Sequence, residues 1–173
     1  HCRFCIFRIS IKRTAIRSVP VTQDEQYMRL AIAEAAKAAA EGEIPVGAVV
    51  VRHGEVVAAA HNRRESGKNA LAHAEIEAID LACKKLGGWR LWECEMFVTL
   101  EPCPMCTGAI INSRIKRLVY GASDLKAGSC GSVVNLFDLP YNHKPEVVSG
   151  FMQEECAEIL TGFFKQLRNK KKD

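Results

Sequence analysis

EMFVTLEPCPMCTGAIINSRIKRLVYGA, residues 95–122, changes character twice. Residues 95–100 are rich in β-branched and aromatic side chains and read as a strand that stops at Glu101-Pro102. Residues 103–115, with Pro104 in the first turn, read as a helix, and KRLVYGA reads as the next strand. Strand, helix and strand in direct succession predict a layered α/β fold built on one sheet.

The flanking sequence extends the same alternation. TQDEQYMRLAIAEAAKAAAE, residues 22–41, spaces Met28, Ala31, Ile32, Ala35 and Ala39 at helical intervals, with Thr22 as N-cap, Glu25 three residues on and Gly42 as the stop. IPVGAVVVR and EVVAAAH, joined by His53-Gly54, predict a hairpin. After the polar loop HNRRESGKNA, residues 72–86 form a helix with Ile76, Ile79 and Cys83 on one stripe, ended by Gly87-Gly88. Residues 123–145 read as a long functional loop with one helical turn around Val133 to Phe137. EVVSG is a short last strand, residues 152–168 an amphipathic closing helix, and NKKKD a solvated tail.

The 173 residues suit one domain, and 48% hydrophobic with 25% charged residues exclude global disorder or a membrane-embedded body. The net charge of +4 is unevenly spread. Residues 1–20 carry +5 without an acid, residues 21–164 carry −5, and residues 165–173 carry +4. Residues 1–20 therefore read as an appended basic segment, either a transit-like leader or the product of an upstream reading frame, ahead of a domain at 21–168 and a basic tail at 169–173. Arg8, Lys12, Arg13 and Arg17 interrupt any secretory core, and no apolar run is long enough to span a bilayer. Eight cysteines without a signal sequence point to a reduced, cytoplasmic setting, with Cys83, Cys94, Cys130 and Cys156 as small buried hydrophobes.

Chemistry concentrates at two helix starts. Cys103 and Cys106 lie three apart, so a first helical turn puts both sulfurs on one side, and a helix N-terminus favours the thiolate. His73 adds a nitrogen, and two sulfurs with one nitrogen suit Zn²⁺ with a fourth position open, as in catalytic sites. A closed structural site is the alternative, with Cys130 or the Cys2/Cys5 pair as the source of further ligands. Glu75 is the natural acid/base, and it can share the site with His73 only if His73 sits at the very start of its helix.

His73-Ala74-Glu75 with Pro102-Cys103-Pro104-Met105-Cys106 is the H-x-E and P-C-x-x-C signature of the zinc nucleobase deaminases. From Thr22 to about Lys172, through IPVGAVVV, AHNRRE, AHAEIEAID, FVTLEPCPMCTGAI, SRIKRLVYGASDLKAG, YNH and FFKQLR, the chain resembles the bacterial tRNA adenosine deaminases of the TadA type. The resemblance implies a three-layer cytidine deaminase-like fold, with one mixed central sheet of about five strands and helices on both faces. It implies one Zn²⁺ per subunit on His73, Cys103 and Cys106, with Glu75 moving a proton from the attacking water to the purine and then to the leaving amine. The implied reaction is hydrolysis of adenosine to inosine at the wobble position of a tRNA anticodon stem-loop, with the base flipped out, by a homodimer.

By the same resemblance Asn62 helps hold the base and Asp124 lies beside the target nucleotide, while Asn142, His143, Phe163 and the basic C-terminal end are RNA contacts. Read alone, Asn62 would satisfy loop backbone groups, Asp124 would cap a turn, and Phe163 with Phe164 would be core or dimer contacts. Ser123 departs from the larger or basic residue that some members carry before the aspartate. Two other functions remain open: a free-base or nucleotide deaminase acting on guanine or cytosine, and an inactive zinc-containing RNA-binding protein.

Overall fold

The computed structural model describes residues 21–170. The appended segment 1–20, Cys2 and Cys5 within it, and residues 171–173 of the tail lie outside the described residues. The chain runs α1 (Gln23–Ala40), β1 (Gly47–Arg52), β2 (Glu55–His61), α2 (Ala74–Leu86), β3 (Cys94–Leu100), α3 (Pro104–Ser113), β4 (Arg117–Ala122), a 3₁₀ turn (Leu136–Asp138), β5 (Glu146–Val148) and α4 (Gln153–Lys170).

One sheet has the order β2-β1-β3-β4-β5. The β1–β2 and β1–β3 pairs are antiparallel, and the β3–β4 and β4–β5 pairs are parallel, so the sheet is mixed. Because successive strand residues point to opposite faces, β1 divides its side chains between two cores. Ala48 and Val50 join Met96, Val98, Leu118 and Tyr120 beneath α2 and α3. Val49 and Val51 join Phe97 and Val119 beneath α1 and α4. Helices on both faces of a five-stranded mixed sheet match the expected three layers.

Local chemistry sets the helix ends. Thr22 Oγ1 accepts from the Glu25 amide at 3.2 Å and caps α1. Gly87 closes α2 in the left-handed conformation, φ 71°. At Gly47 the α1 backbone crosses β1 so closely that a Cβ would overlap the Ala31 carbonyl oxygen, so this contact requires glycine.

Three details differ from the sequence expectation. The α2 face against the sheet is Ala74, Ala78 and Ala82, while Ile76, Ile79 and Cys83 are only half-buried. Small residues let the helix approach β1 and β2, and the larger side chains then fill the flanks. The helical turn in the long loop falls at Leu136–Asp138. Asn169 and Lys170, expected in the tail, continue α4.

Candidate active site

The N-termini of α2 and α3 meet at the C-terminal end of β3. His73 is the N-cap of α2, with extended backbone at φ −77°, ψ 149°. That conformation turns its ring back toward Glu75, two residues on, in place of the opposite direction a helical residue would take. Cys103 caps α3 in the same way at φ −72°, ψ 174°, and Cys106 follows in the first turn. His73 Nδ1 lies 3.7 Å from Cys103 Sγ and 3.5 Å from Cys106 Sγ. The three ligand atoms lie within 4.8 Å of one another.

This donor set fits a metal ion. A tetrahedral ion bonded at about 2.0 Å to nitrogen and about 2.3 Å to sulfur holds those atoms about 3.6 Å apart. Hydrogen bonding from Cys106, then from His73, brings the Cys103 thiol down to about 4, whereas the bond to Cys103 and burial push the Cys106 thiol up. The bond to Cys103 raises His73. A cation displaces these protons and satisfies all three donors at once. Cys130 is buried against the Thr107 hydroxyl, 3.5 Å away, and does not join the group.

Glu75 is 4% exposed, and burial pushes its carboxyl up to about 6. A carboxyl with an affinity for protons near neutral pH can both accept and donate one. It lines a cavity of about 180 Å³ with His73, Cys103, Asn62, Arg64, Glu101 and Asp124, walled by Ile44, Val46 and Leu100.

The structure thus brings Asn62 and Asp124 to the same cavity as the cysteines, histidine and Glu75. Asp124 also caps its own turn, with Oδ1 accepting from the amides of Lys126 at 2.9 Å and Ala127 at 3.2 Å. Asn142, His143 and Phe163 do not line the cavity. Asn142 Oδ1 accepts from Arg114 at 2.8 Å, His143 Nε2 lies 2.7 Å from the Ile115 carbonyl, and Phe163 packs edge-on against Phe164 at 5.6 Å on α4.

Sequence reading left Arg64, Glu43 and Glu101 unassigned. Arg64 lines the cavity two residues beyond Asn62. Glu101, 2% exposed, accepts backbone bonds from Asp124 at 3.0 Å, Cys130 at 3.1 Å and Ser132 at 3.0 Å, and a bond from the Ser132 hydroxyl. The loop wraps so tightly that a Cβ on Gly128 would overlap the Glu101 carboxylate. One carboxylate therefore fastens the loop that carries Asp124. An acid between an apolar strand and a proline is the only hint of this in the sequence.

Burial raises the Glu101 carboxyl, but the bonds from Ser132 and the loop amides outweigh it and hold the group below its ordinary value of 4.5. Glu43 is likewise held below 4.5 by the amides of Ser66 and Glu65, against its burial. Groups lowered on folding stabilise the protein fully above the unfolded value, and that contribution drains as pH falls through the folded value. Glu101→Gln should cost about 2–3 kcal/mol at pH 7, with the difference from the parent shrinking below pH 4. Urea titrations at the two pH values read this, and an equal difference at both would contradict it.

Residues 22–168 match the model of the MafB19-like deaminase family. The chain is 53% identical over 153 residues to the tRNA-specific adenosine deaminase of Bacillus subtilis (strain 168), covering 88% of this chain and 95% of that one. A solved structure from biochemical and structural studies of A-to-I editing by tRNA:A34 deaminases at the wobble position superposes with TM-score 0.76 at 46% identity, covering 78% of this chain and 99% of that one. A guanine deaminase from Nitrosomonas europaea superposes with TM-score 0.68 at 27% identity, covering 84% and 85% of the two chains. The paired helix N-termini, the His-Cys-Cys group beside a buried glutamate and these matches together mean that the chain belongs to the MafB19-like deaminase family, in its tRNA-specific adenosine deaminase branch.

Proposed function

We propose that this protein hydrolyses adenosine to inosine and ammonia at the wobble position of a tRNA anticodon stem-loop. The observation that carries the chemistry is a carboxyl, Glu75, buried beside His73, Cys103 and Cys106 in a nucleobase-scale cavity. The relatives named for tRNA-specific adenosine deamination support the substrate.

His73 Nδ1 and the sulfurs of Cys103 and Cys106 would hold one Zn²⁺. When bound, the ion supplies the Lewis acidity that makes water a nucleophile near neutral pH. Glu75 takes a proton from the attacking water and gives it to the purine ring as the bond to C6 forms. It then carries a proton to the exocyclic amine, which leaves as ammonia as C6 becomes a carbonyl. Apolar Ile44, Val46 and Leu100 limit competing water around the base. Asn62 holds the base, and Asp124 sits beside the flipped nucleotide on the loop that Glu101 fastens.

Asn142, His143, Phe163 and the basic C-terminal end, farther along the surface, are the proposed contacts to the rest of the stem-loop. The catalytic domain is residues 21–168, with Asn169 and Lys170 continuing its last helix, and the basic segment 1–20 precedes it. A homodimer is supported by Val133, Val134, Phe164 and Leu167, which are exposed apolar residues. Sedimentation should give twice the chain mass, and a monomer mass at micromolar concentration would contradict it. Among the described residues no helix is long and apolar enough to cross a membrane. All six cysteines among the described residues are free, which supports a cytoplasmic setting, against which recovery in an exported fraction would count.

The second reading, a free-base deaminase, draws on the likeness to the guanine deaminase structure. Ammonia release from a stem-loop, from free guanine and from free cytosine at equal concentration separates the two. Release from RNA alone is expected, and release from a free base with none from RNA would reverse the assignment.

A further inference from the structure

Asn62 has a partner that neither the motif nor the family resemblance assigns. Glu43 lies in the turn between α1 and β1, directly before Ile44 and close to Val46, both of which wall the cavity. It is fully buried, at 0% exposed. Its Oε1 accepts from the Ser66 amide at 2.7 Å, and its Oε2 accepts from the Glu65 amide at 3.2 Å and from Asn62 Nδ2 at 3.4 Å. Each of these groups belongs to the loop that follows β2, which also carries Arg64 into the cavity.

An ionised carboxylate can only accept hydrogen bonds, so the Asn62 atom facing it must be the amide nitrogen. The loop amides keep Glu43 ionised, since their bonds outweigh its burial and hold its carboxyl below the ordinary range. The orientation of the Asn62 amide follows from this. With Nδ2 turned to Glu43, Oδ1 points the other way, and among the described residues no hydrogen bond reaches it. No buried side-chain oxygen or nitrogen among the described residues lacks a partner, so Oδ1 is not sealed inside the protein. Asn62 lines the cavity, although the residue as a whole is only 4% exposed.

We propose that Glu43 is a positioning residue for substrate recognition: by accepting from Asn62 Nδ2 it fixes Asn62 Oδ1 toward the cavity as an acceptor for an N–H or O–H of the bound nucleoside. This rests on the reading above that Asn62 contacts the substrate. Its consequence is polarity-specific. In Glu43→Gln the new side chain must keep its oxygen on the short Ser66 bond, which leaves its NH₂ facing the Asn62 NH₂. Two donors cannot pair, so the Asn62 amide turns over and presents a donor to the nucleoside where the site needs an acceptor. Adding Asn62→Asp cures this, because one carboxylate oxygen accepts from the NH₂ introduced by Glu43→Gln and the other faces the cavity. Against the natural Glu43, Asn62→Asp instead makes a like-charged buried pair, one member of which must take a proton.

The test compares wild type, Glu43→Gln, Asn62→Asp and the double variant on an anticodon stem-loop with a wobble adenosine, with metal content and thermal midpoint recorded for each. Glu43→Gln should lower kcat/KM by about 10–100-fold, the effect of one misdirected hydrogen bond, and Asn62→Asp should lower it by a similar factor through the like-charged buried pair. The double variant should recover at least about tenfold over the weaker single at unchanged metal content. A purely structural role for Glu43 through the loop amides cannot produce that recovery, since in the double variant the Glu65 amide still lacks the acceptor that Oε2 supplied. The proposal is overturned if Glu43→Gln matches wild type, or if the double variant is no better than the weaker single. If Glu43→Gln fails to fold, the double variant decides: folded and active supports the proposal, while inactive or unfolded overturns it. Wild type is the control for the functional reading. No inosine from wild type defeats that reading, whereas inosine from wild type with unchanged Glu43→Gln activity defeats only the role of Glu43.

Discussion

Glu75→Gln is expected to lower kcat on a wobble-adenosine stem-loop by about 10³-fold, in the middle of the range for losing a positioned general acid/base, with one metal ion per chain retained. Glutamine keeps the shape and burial of the side chain and can still hydrogen-bond, but it cannot take up and return a proton. The clustered donor atoms that could hold a metal belong to His73, Cys103 and Cys106, and Glu75 is not among them. Metal content and the thermal midpoint should therefore stay near wild type while turnover falls. Because burial raises the Glu75 carboxyl to about 6, the wild-type rate should also fall on the acid side as that group becomes protonated and can no longer act as a base. Turnover within about tenfold of wild type would remove Glu75 from the mechanism. Loss of metal together with turnover would recast it as part of the metal site.

Cys106→Ala should abolish both metal binding and turnover. Removing a group that only supports a ligand costs about 10–100-fold in metal affinity, so removing a direct ligand should exceed that range. Cys106 is fully buried at the first turn of α3, and its sulfur is 3.5 Å from His73 Nδ1. Alanine leaves Cys103 and His73 as a two-ligand site. The folded state should survive, because Cys106 belongs to neither hydrophobic cluster and alanine is a good helix former. Metal analysis after dialysis, with circular dichroism on the same sample, checks the prediction. A folded Cys106→Ala protein holding one tightly bound ion would show that the ligand set is wrong.

These two changes concern the part of the site that was most legible in the sequence. The His73 and Cys103 caps could be read because a polar loop or a Glu-Pro break precedes each helix, and because three-residue spacing puts Cys103 and Cys106 on one turn. The strand and helix alternation was legible for the same reason, since period and punctuation are local properties. Contacts that join distant segments were hidden. Glu101 is held by residues 23 to 31 positions away, and no pattern within either segment marks the pairing. Glu43 and the loop after β2 pose the same problem. The α2 face was misread because isoleucine outranks alanine in hydrophobicity, whereas the close approach of this helix to the sheet selects the smaller side chain.

The charge distribution bears on how RNA is held. Residues 21–173 carry 19 basic and 20 acidic side chains, so overall attraction to a polyanion is weak without residues 1–20. Under the proposed function, recognition would fall to local groups, Arg64 in the cavity and the basic end of α4.

The most direct measurement is the nucleoside content of an anticodon stem-loop with a single adenosine, at the wobble position, after incubation with the zinc-loaded protein. Digestion followed by mass spectrometry should show that adenosine replaced by inosine, one ammonia released per inosine formed, and neither product with Glu75→Gln. Unchanged adenosine in the presence of folded protein containing one zinc per chain would contradict the assignment.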